Sequence, residues 1–131
     1  MTTELQVLVW LVGVTTFMWL PYILARIASV GLLTALTYTA DGLSLRPDWA
    51  KRAKQAHYNA IENLAPFAAL VIVAHLTNVN NEVTETSALA FFWFRVAHYI
   101  LYMLGAPFGR TLAFAGGWVA QISLLYQILV A

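Results

Sequence analysis

Glu62 and Arg95 are opposite charges set inside long apolar runs, and each has polar neighbours at helical spacing. Arg95, His98 and Tyr102 recur at i, i+3 and i+7, which aligns them on one face of a helix. Gln55, Tyr58, Asn59 and Glu62 fall within a second face about 100° wide. A charge at the centre of a membrane helix costs roughly 2.5–3.5 kcal/mol, so such residues are functional candidates by default. Glu62 lies eight residues beyond Lys54, and Arg95 ten residues before Gly105. Those separations correspond to depths of about 12 and 15 Å. Two opposite charges at similar depth are expected to pair, within a subunit or between subunits. A pair that only fixes helix register does not need His98, Tyr102, Asn59 and Tyr58 beside it. Their accumulation predicts a polar cavity in which an anionic ligand meets Arg95.

The elements that must carry these residues follow from composition. The chain has 131 residues, of which 61% are hydrophobic and 10% charged. Soluble domains average about 45–50% apolar and roughly 25% charged. The excess apolar surface cannot be hidden in a core of this size and is expected to face lipid. Leu5–Ala25, Ala56–Leu76, Ser87–Leu104 and Thr111–Ala131 each approach the length of about 20 residues that a transmembrane helix needs. Gly-, Pro- and Asn-containing connections separate them: Ala40 to Arg52, Thr77 to Glu82, and Gly105 to Arg110. The expected fold is all-α, an integral membrane four-helix bundle in a single domain over 1–131. Its helices should span about 5–36, 53–76, 87–104 and 108–131. The apolar stretch from Ile27 to Tyr38 fits either a continued first helix or an interfacial segment. Pro21 and Pro66 are candidate kinks.

The remaining residues exclude several functions. A net charge of +1 offers no basic field for a nucleic-acid partner. The absence of cysteine removes disulfides, thiolate metal sites and a protein-borne thiol nucleophile. No metal site is indicated, since His57, His75 and His98 share no ligand spacing. His75 reads as an interfacial residue at the far end of the second span. The spacings Ala113-x-x-x-Gly117 and Gly116-x-x-x-Ala120 read as close helix packing. Loop one holds Arg46, Lys51, Arg52 and Lys54, loop three holds Arg110, and loop two holds only the acids Glu82 and Glu85. By the positive-inside rule, loops one and three should be cytoplasmic.

The run Ala56-His57-Tyr58-Asn59-Ala60-Ile61-Glu62-Asn63-Leu64-Ala65-Pro66-Phe67 resembles the second-helix signature of the MAPEG family, the membrane-associated proteins of eicosanoid and glutathione metabolism. That signature reads roughly R-A-H-x-N-x-x-E-x-x-x-P-F. Phe94-Arg95-Val96-Ala97-His98 followed by Tyr102 resembles the family's third-helix pattern, G-R-x-x-H-x-x-x-Y. Ala106-Pro107 followed by Arg110 looks like the segment that opens the fourth helix. The first helix is similar only in length and topology.

The resemblance implies a divergent member of bacterial type, in an inner membrane, assembled as a homotrimer with its site between subunits. Glutathione would be held there by Gln55, Tyr58, Asn59, Glu62, Arg95, His98 and Tyr102, and Arg110 would stabilise its thiolate. Three departures stand out, the first being that Arg110 is displaced by about one position relative to the family pattern. Gln55 and Tyr58 occupy positions where the family carries arginine, and no basic residue precedes Ala106-Pro107. The implied activity is a glutathione-dependent transferase or peroxidase acting on lipophilic electrophiles that arrive through the membrane lipid. The alternative is a non-catalytic member that binds a lipid in the same groove, which the missing arginines favour. A small proton-coupled transporter also has four helices, but it would need an acid in the middle of the first span, and Glu4 precedes that run.

Overall fold

The computed structural model describes residues 1–37 and 47–131. Residues 38–46, which include the expected Ala40-Asp41-Gly42 turn and Arg46 of loop one, lie outside the described residues. The helices are α1 (Thr3–Phe17), α2 (Leu20–Val30), α3 (Leu32–Thr37), α4 (Asp48–Leu76), α5 (Glu82–Leu104) and α6 (Pro107–Val130). Among the described residues, four stretches are long and apolar enough to cross a membrane: Thr3–Val30, Asp48–Leu76, Glu82–Leu104 and Pro107–Val130. The protein is therefore an all-α integral membrane four-helix bundle.

The first span is not one continuous helix. Proline lacks an N–H, and its ring crowds the carbonyl four residues back. Pro21 accordingly sits in the first turn of α2, and α1 closes at Met18, whose N–H donates to the Thr15 carbonyl. The Met18 carbonyl accepts instead from the Tyr99 hydroxyl at 3.1 Å, which ties the break to α5. Gly31, at φ +85°, ends α2. A side chain at that backbone angle would be strained, so the apolar run turns here rather than continuing as one helix. Pro66, by contrast, lies inside an unbroken α4.

The core forms where the spans exchange small and large residues. Phe67 of α4 stacks on Phe91 of α5 with ring centroids 4.1 Å apart and planes 10° apart. Val7, Leu11, Val71 and Leu124 close around them, and Ala88 and Ala120 keep the spacing tight. A second cluster, Tyr22, Ala25, Ala50 and Ala53, seats α2 against the start of α4. Gly105 adopts φ +77°, and Ala106 N–H returns to the Leu101 carbonyl at 2.9 Å. With Pro107 opening α6, this two-residue turn makes α5 and α6 antiparallel neighbours.

At the opposite end, Asn81 caps α5 by accepting from the N–H groups of Val83 and Thr84, while Thr84 Oγ1 accepts from Asn81 N–H. Glu4, expected to precede the span, lies within the first turn of α1 instead. It is fully buried and accepts from Thr84 Oγ1. The physical reason is that the Thr84 hydroxyl at the start of α5 meets a carboxylate in the first turn of α1, where the helix dipole favours an anion. Asn81 Nδ2 also donates to Gln127 of α6 at 3.1 Å. Asn81→Ala is expected to cost about 1–2 kcal/mol, read as a lower unfolding midpoint in mixed micelles.

Candidate functional site

Three spans converge on Arg95. On α5 it occupies the same face as Phe91, His98 and Tyr102, and that face packs against α4 and α6. Gly117 of α6 faces it, and a Cβ there would stand in ordinary van der Waals contact, 3.6 Å from the Arg95 Cδ. Arg95 is only 3% exposed, so its charge must be met inside the subunit. Its Nη2 donates to Asn59 Oδ1, and a longer contact of 3.5 Å reaches His98 Nδ1. Asn63 completes the amide side by donating from Nδ2 to the Asn59 carbonyl at 2.8 Å and to Asn59 Oδ1 at 3.3 Å. Arg95 Nε is buried and has no hydrogen-bond partner among the described residues.

From Arg95 the polar groups continue toward loop three. The His98 and Tyr102 rings meet edge to face at 5.5 Å. Arg110, on the first turn of α6, lies over Tyr102 with Cζ 4.5 Å from the ring centroid. Phe114 walls this column, 6.0 Å from His98 and 5.8 Å from the Arg95 guanidinium. The column covers about 10 Å of α5, from Arg95 to Tyr102, and holds two cations. No ion pair to an acid involves either of them among the described residues, where Lys51 pairs with Asp48 at 3.7 Å.

The expected pairing of Glu62 with Arg95 does not form within the subunit, because Asn59 takes that position. The reason is rotational. The buried stripe of α4 runs through Ala53, Ala56, Ala60, Phe67 and Val71. Asn59 lies about 100° from Ala60, close enough to reach across to α5, whereas Glu62 lies about 160° away on the far side. Glu62 and Gln55 are exposed, and Tyr58 is 46% exposed. The predicted α4 face is therefore divided: Asn59 turns inward, and Gln55, Tyr58 and Glu62 point away from the helix bundle.

His57, part of the second-helix motif, faces a different neighbour. Its Nδ1 lies 2.8 Å from the Tyr22 hydroxyl, which joins α4 to α2. Tyr22, Phe114 and Lys54 escaped the motif reading, whereas Asn63 stands within the second-helix run. Lys54 Nζ stands 5.6 Å from the Tyr58 ring centroid, so the outward stripe carries a cation after all. Only Asn63 was detectable in advance, from its i+4 spacing to Asn59.

The architecture and the motif geometry meet in one comparison: a model of the MAPEG family matches residues 7–130. The chain belongs to the MAPEG family. The match takes in α1 from Val7 onward, where the sequence resemblance rested on length and topology only. No curated protein and no solved structure matches the chain. Membership in the MAPEG family sets the protein among membrane proteins of glutathione-related or eicosanoid metabolism in general.

Proposed function

We propose that the protein is a membrane glutathione-dependent transferase or peroxidase acting on lipophilic electrophiles, with its site between the subunits of a homotrimer. The observation that carries this reading is the division of the polar residues. An acid-free column with Arg110 at its open end lies inside each subunit, and Gln55, Tyr58 and Glu62 point out of it. An outward carboxylate in a span is costly against lipid, so a neighbouring subunit with a polar ligand between the two accounts for it. Glutathione has the complementary chemistry, with two carboxylates for cations and an ammonium for Glu62.

In this reading Arg110 holds the thiol in its deprotonated, nucleophilic form by a charge-assisted hydrogen bond. Tyr102 steers the Arg110 guanidinium through its ring face. Glu62 accepts from the ammonium, and Gln55, Tyr58 and Lys54 border the peptide. Arg95 and His98, being buried, position Asn59 and Tyr102. In transfer, the thiolate sulfur forms a bond to an electrophilic carbon, and the leaving group departs with the electron pair. Loops one and three face the cytoplasm of a bacterial inner membrane, so the thiol arrives from water and the electrophile from lipid.

A second reading, a non-catalytic lipid-binding member, is favoured by one observation: Gln55 and Tyr58 stand exposed where the family motif has arginine. Calorimetry and thiolate absorbance on the detergent-solubilised protein decide between them. Binding with a thiolate signal that is lost in Arg110→Ala supports the enzyme. The absence of binding at millimolar glutathione rejects it in favour of the lipid-binding member.

A further inference from the structure

On the outside of each subunit, away from the polar column, a groove runs between the first span and α5. Its inner part has a volume of about 700 Å³ and is walled by Val9, Trp10, Gly13 and Phe17 with Phe92 and Tyr99. Nothing stands within 4 Å of a Cβ built at Gly13, so the groove is open at its waist. A second cavity of about 510 Å³ follows at the end of the bundle where α4 begins and α5 finishes, lined by Pro21, Trp49, Arg52, Met103 and Leu104. Pro21 walls both, so the two are consecutive stretches of one groove.

The two ends differ in chemistry. From Val9 to Pro21 the lining carries no charge over about 18 Å of helix, against about 15 Å for one leaflet's share of the hydrocarbon core. At the mouth, Arg52 anchors its Nε on the Met103 carbonyl at 3.0 Å. No hydrogen bond from its two terminal nitrogens is made among the described residues. The nearby acid, Asp48, is engaged with Lys51. Trp49 beside Arg52 has the amphipathic ring that favours headgroup depth. A chain-length apolar slot ending in an anchored cation is complementary to an anionic amphiphile.

We propose that this groove holds one acyl chain of an anionic phospholipid, with the headgroup phosphate seated on Arg52. The assignment is independent of glutathione chemistry. Lipid tails are already in an apolar medium, so burial alone gives the chain little preference for the groove. Selectivity must therefore come from the headgroup, and a single arginine near the surface favours an anionic lipid about fivefold.

Native mass spectrometry of the delipidated protein tests this, with phosphatidylglycerol and phosphatidylcholine of identical chains added in equal amounts. The expected result is about fivefold more phosphatidylglycerol retained. Arg52→Gln should bring the ratio to about one, and Arg52→Lys should keep it above one. Gly13→Leu fills the waist without touching Arg52 and should reduce retention of both lipids while the assembly mass stays unchanged. Equal retention by the unaltered protein, or an unchanged preference in Arg52→Gln, overturns the proposal. Undiminished retention in Gly13→Leu overturns it as well. So does an assembly that retains no lipid and dissociates in Gly13→Leu, which would assign the groove to a second copy of the chain.

Discussion

Replacing Asn59 by leucine is expected to destabilise the protein by roughly 2–3 kcal/mol, more than replacing Arg95 by methionine. Arg95 is buried beside neutral partners, and Asn59 Oδ1 is the acceptor that its guanidinium reaches. A hydrogen bond to a charged group is worth about 1.5–3 kcal/mol, and stranding the charge adds desolvation that is no longer offset. Methionine at position 95 removes the charge together with its demand for a partner and keeps most of the volume. Asn59 Oδ1 then still has Asn63 Nδ2, 3.3 Å away. The double variant should therefore be close to Arg95→Met alone, giving a coupling energy above about 1 kcal/mol in unfolding titrations in mixed micelles. Additive single effects would refute the Asn59–Arg95 assignment. The corresponding cycle between Glu62 and Arg95 should show coupling below about 0.5 kcal/mol, because Glu62 points away from Arg95 within the subunit.

Arg110→Ala carries the largest expected effect on the proposed activity. Arg110 is the half-buried cation at the open end of the column, held over the Tyr102 ring at 4.5 Å. Removing one group that stabilises a developing or resident anion typically costs 10²–10³ in turnover, and a loss of about that size is expected here. Glutathione affinity should fall far less, since Glu62, Asn59 and Lys54 are untouched, so the change should appear in kcat rather than KM. Arg110→Lys should recover part of the activity, because it restores a point charge without the planar fork. Tyr102→Phe should change little, since the ring that steers Arg110 remains. Equal loss in kcat and thiol affinity would make Arg110 a general docking charge. Unchanged turnover would remove it from the chemistry.

The correction at Glu62 shows where reading a sequence of this kind stops. Helical spacing put Arg95, His98 and Tyr102 on one side of α5, but the face it drew on α4 divides, with Asn59 turned inward and Gln55, Tyr58 and Glu62 outward. Spacing orders residues around a helix, but it does not say how far the helix is rotated toward its neighbour. A difference of about 60° separates Asn59, which reaches Arg95, from Glu62, which does not. Charge alone favoured the acid as partner, and the rotation of α4 that seats Phe67 on Phe91 of α5 overrode it.

The sequence by itself determined the environment, the number of spans and the family. Those depend on apolar length, on charge frequency and on local motif spacing, all of which are additive along the chain. Tertiary structure alone decided which groups meet. Tyr99 reaches the Met18 carbonyl at the Pro21 break, Tyr22 reaches His57, and Glu4 is drawn into the bundle by Thr84. These partners lie 35 to 81 residues apart along the chain. Their meeting depends on the rotation and depth at which each helix seats, which the packing of Phe67 on Phe91 and the tight turn at Gly105-Ala106 impose together.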